Sequence, residues 1–256
     1  SDTTIVATQS QGCKQSDKFR YNLFLVLPVA VIVGIIYLVL GAGNNEAIMG
    51  ETVLWWKIIP YAAVLISAAL GMNVMLVLLM GNVLTGVVGM ADGSYSFMQW
   101  TSSLTEGIMG MSELILISMM AGGIFALITK QGVMERFMRL VSMKIHTKRG
   151  AELSICLLVG AVNTLTANNT VAILSVGDIA KQISTRFGID PRRSASLLDT
   201  TSCAVQGILP YGAQLLMASS LAGISALSII PHLYYPILIG MIVLLTILIP
   251  VRRRQS

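Results

Sequence analysis

The stretch "NTLTANNT", residues 163–170, lies between "LSICLLVGAV" and "VAILSVG", so six polar side chains in eight residues interrupt a run of membrane-grade hydrophobicity. An unpaired amide or hydroxyl moved into an apolar medium costs roughly 2–7 kcal/mol. The three amides and three hydroxyls must therefore be paired, wet, or bound to something. That choice decides how the segment folds and what the chain does.

The surrounding chain has 256 residues, is 55% hydrophobic and 11% charged, and has a mean hydropathy of +0.78. Ordinary soluble domains carry about 25% charged residues. The composition is that of an all-α integral membrane protein, a polytopic helix bundle. The net charge of +5 falls in short clusters beside apolar runs. Such clusters are topology signals, and no nucleic-acid partner is expected. Cys13, Cys156 and Cys203 are widely spaced, with no CxxC or Cys/His grouping, so neither a disulfide framework nor a zinc site is indicated. No cofactor and no enzymatic role are expected. Residues 1–20, "SDTTIVATQSQGCKQSDKFR", show no signal-peptide pattern, and a chain beginning at Ser1 reads as a piece of something longer.

A crossing of the hydrocarbon core needs roughly 20 residues, and 22–40, 107–129 and 232–250 meet this simply. Residues 58–90 and 194–228 are longer, while 151–180 is shorter with the polar cluster at its centre. Lys and Arg accumulate in short cytoplasmic loops. They cluster at Lys14, Lys18 and Arg20; at Lys130, Arg136, Arg139, Lys144, Lys148 and Arg149; at Lys181, Arg186, Arg192 and Arg193; and at Arg252, Arg253 and Arg254. Placing all four clusters inside leaves only Lys57 outside. Region 151–180 must then enter and leave on the cytoplasmic side, as a re-entrant hairpin with arms of roughly 15–18 Å and its tip near the bilayer midplane. Region 58–90 is either a hairpin turning at "GMN" or one tilted helix. Trp55, Trp56, Trp100, Tyr234 and Tyr235 sit where an aromatic belt would be. "VMERFMRLVSMKI", residues 133–145, mixes apolar residues with Arg136, Arg139 and Lys144 and predicts a basic amphipathic helix in the cytoplasmic interface.

The expected layout is a polar N-terminal segment at 1–21, scaffold-like membrane helices over 22–129 and an interfacial helix at 130–149. A transport-type region follows at 150–250, built of the hairpin 151–180, a broken helix 194–228 and a last span 232–250. A basic cytoplasmic tail at 251–256 ends the chain.

A second polar constellation follows the hairpin. In "SLLDTTSCAVQGILPYGAQ", residues 196–214, a helix places Asp199, Ser202, Cys203 and Gln206 on one face. Pro210 should break that helix, with Gly207 and Gly212 loosening its flanks. Freed helix ends at membrane depth are where transporters build coupling-ion sites. A charge near the bilayer centre costs about 2.5–3.5 kcal/mol on insertion scales, so a retained acid there usually has a function. Asp199 is accordingly the candidate proton-coupling group, with Asp178 and Glu113 as lesser candidates. The bland alternative is a salt bridge from Asp199 to Arg192 or Arg193. His146 and His232 read as surface histidines.

From Thr166 to Gln214, "TANNTVAILSVGDIAKQISTRFGIDPRRSASLLDTTSCAVQGILPYGAQ", the sequence resembles the NhaC-type sodium/proton antiporter family of the larger ion-transporter superfamily. The resemblance implies a transporter of two inverted repeats, of which this chain is the C-terminal half, with a preceding N-terminal half of the same protein. It implies a multi-pass protein of the cell's inner membrane that exchanges sodium for protons, surrounded by lipid and compatible with a homo-oligomer. "TANNT" is similar to the hairpin-tip motif of the superfamily. On that basis Thr166, Asn168, Asn169 and Thr170 carry over to sodium binding, with Asp199, Ser202 and Gln206 as the facing wall. The family also includes members proposed to exchange organic acids such as malate and lactate, or to move amino acids with sodium. The absence of Arg or Lys beside the polar tip favours the plain cation exchanger. Two further readings come from other classes. One is an intramembrane aspartyl protease, in which "SVGD" would be a near match to GxGD and Asp178 and Asp199 the acids; the other is a structural membrane subunit.

Overall fold

The computed structural model describes residues 2–42, 54–70, 72–143 and 145–249. Every regular element among them is helical, as the composition and the long apolar runs predict. The chain divides into two compact units, Asn44–Ser112 and the remainder, Ser1–Gly43 with Glu113–Ser256.

The polar N-terminal segment is part of the packed unit. Helix α1 (Asp2–Gln11) packs on the later helices of its unit, and Ala7, Thr8 and Gln11 are buried. Helix α2 (Gln15–Ala42) contains the predicted span 22–40 and begins about two turns earlier, so that Lys18 is helical and buried. Leu25, Val29 and Val33, one turn apart, form its buried stripe.

In the second unit, α3 (Ile59–Ala69) and α4 (Val74–Ala91) pack on each other. Asn73 caps α4 by accepting from the Met75 N–H at 2.9 Å. Lys57, before the pair, and Asp92, after it, form an ion pair at 2.8 Å. Region 58–90 is therefore a helical hairpin with adjacent ends, the first of the two expected forms. Helix α5 (Phe97–Gly110) follows, opened by a capping box between Ser96 and Gln99.

Helix α6 (Ser112–Lys130) carries most of the predicted span 107–129, and α7 (Val133–Met143) is the expected amphipathic helix. Phe137 and Val141 on α7 pack against the core, while Val133 and Leu140 stay exposed. Lys144, the side chain of Glu113 and the basic tail 251–256 lie outside the described residues.

The hairpin is formed by α8 (Lys148–Thr166) and α9 (Asn169–Arg186). Its arms have 19 and 18 residues, about 28 and 27 Å at 1.5 Å rise. They are longer than the predicted 15–18 Å because Thr147 caps α8 ahead of Ala151 and because the polar cluster itself is largely helical. The turn shrinks to Ala167 and Asn168. Helix α9 lies close to α1: a Cβ on Gly177 would come within 2.7 Å of Ser10 Cβ, and the Gln11 side chain donates to the Gly177 carbonyl at 2.9 Å.

Helix α10 (Pro191–Ile208) packs on α1, α2, α8 and α9 and is the centre of the unit. It ends where Pro210 requires, and α11 (Ala213–Ala222) resumes after Gly212. A sharper turn comes later: the line of Pro191–Ala222 bends by 99° into Ala226–His232, after Gly223 takes a left-handed φ of 66°. Helix α12 (Ala226–Ile229) occupies that return. Helix α13 (Tyr234–Leu248), within the expected last span 232–250, buries Pro236, Ile239, Val243 and Ile247 against α10. Gln15–Gly41 and Phe97–Lys130 are long and apolar enough to cross a membrane.

Candidate functional site

The hairpin tip is held on the broken helix by three side-chain bonds to carbonyls. Asn163 Nδ2 donates to the Ser202 carbonyl at 2.8 Å, Gln206 Nε2 to the Ala167 carbonyl at 2.8 Å, and the Tyr211 hydroxyl to the Thr164 carbonyl at 2.6 Å. Ala167 makes the turn in the left-handed region, with a φ of 49°. Its carbonyl is free for Gln206 because the helix has ended there. Gln206 also donates to Gln214 Oε1 at 3.2 Å, across the break.

These bonds fix which way the two amides point. Turning the Asn163 or Gln206 amide over would set oxygen against a carbonyl oxygen, so the nitrogens face their acceptors and the oxygens face away. Asn163 is fully buried and Gln206 is 3% exposed, yet Asn163 Oδ1 and Gln206 Oε1 have no hydrogen-bond partner. Ser202 and Gln206 are one helical turn apart, about 6 Å of rise. The two amides thus meet one turn apart on α10, Asn163 through the Ser202 carbonyl and Gln206 from its own place on the helix. A Cβ on Gly212 would meet Gln206 Nε2 and the Gln206 carbonyl at 3.2 Å, so a glycine is what lets the break close over this amide.

The predicted tip residues are divided by the structure. Thr166 is buried, but its hydroxyl serves the turn itself, donating to the Val162 carbonyl at 2.9 Å and to that of Asn168 at 3.2 Å. Asn168 is exposed and caps α9, its Oδ1 accepting from the Val171 N–H at 3.1 Å. Asn169 approaches α10 through the Cys203 thiol at 3.8 Å, and Thr170 is half-buried on the first turn of α9. On the facing wall, the Ser202 hydroxyl donates back to the Asp199 carbonyl at 2.9 Å, so Ser202 meets the tip through its carbonyl instead. Gln206 joins tip and break directly. Asn163 was passed over among the candidate ligands although a signal marks it. The buried stripe of α8 runs Ala151, Ile155, Leu158, Val162, and its continuation falls on Asn163 and Thr166.

Asp199 lies two turns before Gln206 on α10 and is 7% exposed. Its partner is not Arg192 or Arg193. Arg192 pairs with Asp190 at 3.0 Å in the loop before α10, and Arg193 pairs with Glu152 at 2.9 Å. Asp199 forms an ion pair with Lys18 of α2 through Oδ2, and the Thr4 hydroxyl of α1 donates to the same oxygen at 3.2 Å. The Cys203 thiol lies 3.9 Å from Oδ1. Sequence reasoning assigned Lys18 to a cytoplasmic basic cluster, and 181 positions separate it from Asp199, so no local pattern links them. Asp178 is exposed on α9, and His146 and His232 are exposed.

An all-helical membrane protein in which a polar hairpin tip is latched to a broken helix, with an acid buried two turns away, has the parts of an ion transporter. The chain belongs to the Na+/H+ antiporter family, whose family model matches residues 45–251. It is a membrane transport protein of the cation/proton antiporter kind. No curated protein and no solved structure matches it.

Proposed function

We propose that the protein exchanges sodium for protons across the cell's inner membrane as a multi-pass, NhaC-type antiporter, the C-terminal half of a two-repeat assembly. The observation that carries the sodium reading is the pair of buried, donor-less amide oxygens of Asn163 and Gln206 where the hairpin tip meets the break in α10. A buried acceptor left unsatisfied costs about 1–3 kcal/mol. A hard cation prefers neutral and anionic oxygen ligands. Sodium bound to these two oxygens removes that cost, with the C-terminal end of α10 adding carbonyls and the Asp199 carboxylate lying two turns back on the same helix. Thr166, Asn168 and Ser202 shape and cap the turn, and Asn169 and Thr170 line the approach on α9.

The alternatives fit less well. An organic acid or amino acid needs a cation for its carboxylate, and the buried cations of the bundle, Lys18 and Arg193, are engaged by Asp199 and Glu152. An aspartyl protease needs two carboxyls sharing a proton, whereas Asp178 is exposed and Asp199 is buried against Lys18. A structural subunit has no use for an ion, so the test is ion-specific stabilisation. Sodium, more than potassium, is expected to raise the melting temperature of the purified full chain, and Asn163→Leu or Gln206→Leu to abolish the increase. Equal stabilisation of wild type and both variants would remove these amides from the site.

A further inference from the structure

Lys18 is the most completely enclosed cation among the described residues, with 1% of its surface exposed. Its ammonium touches two groups, Asp199 Oδ2 and, at 3.0 Å, the Thr4 hydroxyl, which donates in turn to the same carboxylate oxygen. Ammonium, hydroxyl and carboxylate oxygen form a closed triangle between α1, α2 and α10. The other carboxylate oxygen differs. Oδ1 faces the Cys203 thiol at 3.9 Å, and the Asn169 amide of the hairpin tip lies 3.8 Å from that thiol. Asp199 is thus closed by a resident cation on one side and turned toward the tip on the other. The next charged pair, Arg193 with Glu152, is one to two turns away on α10 and neutralises itself, with the Tyr21 hydroxyl 3.4 Å from Arg193.

A buried ion pair gains little over apolar residues of the same volume, because two charges must be desolvated to make it. Both α1 and α2 precede residue 45, where the family match begins, so the cation comes from outside the matched stretch while the acid lies inside it. We propose that Lys18 is a built-in competitor for the transported cation: it occupies the Asp199 carboxylate until sodium arriving from the tip side displaces it, and so sets the cation affinity of the transporter. This rests on the sodium reading above. A desolvated carboxylate cannot accept an ammonium and a sodium ion together without an uncompensated positive charge, so the two exclude each other. Lys18 is then a positioning residue that keeps Asp199 from holding sodium too tightly to release it.

Sodium binding to the purified full chain, measured by titration with radiolabelled sodium at fixed pH, tests this. Lys18→Gln is expected to bind sodium at least about tenfold more tightly than wild type, and Lys18→Arg, which keeps the charge, within about threefold of it. Adding Asp199→Asn to Lys18→Gln is expected to remove the gain. Where Lys18→Gln fails to fold, Thr4→Val decides: it loosens the clamp while keeping both charges, with an expected tightening of about threefold. Sodium affinity that the folded variant leaves unchanged or lowers overturns the role of Lys18 alone. An absence of sodium binding by wild type and every variant overturns the sodium reading beneath it.

Discussion

Gln206 donates its side-chain N–H to the carbonyl of Ala167 at 2.8 Å and thereby joins the break in α10 to the turn of the α8–α9 hairpin. The contact links a helix that stops because of a proline to a hairpin that turns through a left-handed alanine. Movement of either element changes where the Gln206 oxygen points.

Ala167 has a φ of 49°, a conformation that costs an L-residue about 1–2 kcal/mol. Ala167→Gly removes that cost and gives back part of it as unfolded-chain entropy, so its stability is expected to equal wild type or exceed it by up to about 1 kcal/mol. Ala167→Val, β-branched, is expected to lose at least about 1 kcal/mol. Thermal unfolding in detergent checks both.

Gly212→Ala places a Cβ 3.1–3.2 Å from the Leu209 carbonyl, the Gln206 carbonyl and Gln206 Nε2. Overpacking of this kind costs about 1–3 kcal/mol. The expected outcome is a lower melting temperature together with weaker sodium stabilisation, since the atoms displaced belong to the proposed ligand. Full sodium stabilisation in a destabilised Gly212→Ala would separate the break from the ion site.

The two arginines at the start of α10 should differ sharply. Arg193 is buried and paired with the half-buried Glu152, and Glu152→Gln leaves its charge uncompensated, an expected loss of about 3–5 kcal/mol. Arg192 is exposed, and Arg192→Gln, which breaks its pair with Asp190, is expected to cost no more than about 1 kcal/mol.

Asp190, in the loop before α10, is opposed in its ionised form by partial burial. Hydrogen bonds from the Arg192 side chain and backbone N–H, with the Arg192 and Lys148 charges, outweigh that and hold its carboxyl below the usual range. A depressed folded value means that the stabilisation is present above the ordinary carboxylate range near pH 4 and is lost as pH falls through the folded value. Unfolding measured from pH 6 down to pH 3 should show a steeper acid loss for wild type than for Asp190→Asn. Parallel curves would contradict it.

Much of this architecture is legible in the sequence because hydropathy and breaker residues act locally. The apolar run 22–40, Pro210 and the shared face of Asp199, Ser202, Cys203 and Gln206 all carry their meaning within a few turns. The hairpin at 151–180 is legible in outline, but its polar cluster reads as a loop when Asn168 in fact caps a helix and Thr166 bonds within its own turn. What is not legible is tertiary. Lys18 resembles any basic residue ahead of a span, and only the packing of α1 and α2 on α10 brings it to Asp199. Asn163 differs from Thr164 by facing inward, and periodicity alone could have separated them.

Coupled exchange by the full chain in sealed proteoliposomes with an acidic interior, followed with a pH-sensitive dye, tests the central claim most directly. External sodium is expected to dissipate the proton gradient for wild type, and Asn163→Leu and Gln206→Leu, inserted to the same level, to leave it standing. A gradient that sodium leaves intact in wild type, or collapses equally in wild type and both variants, contradicts sodium/proton exchange through the contact of hairpin tip and broken helix.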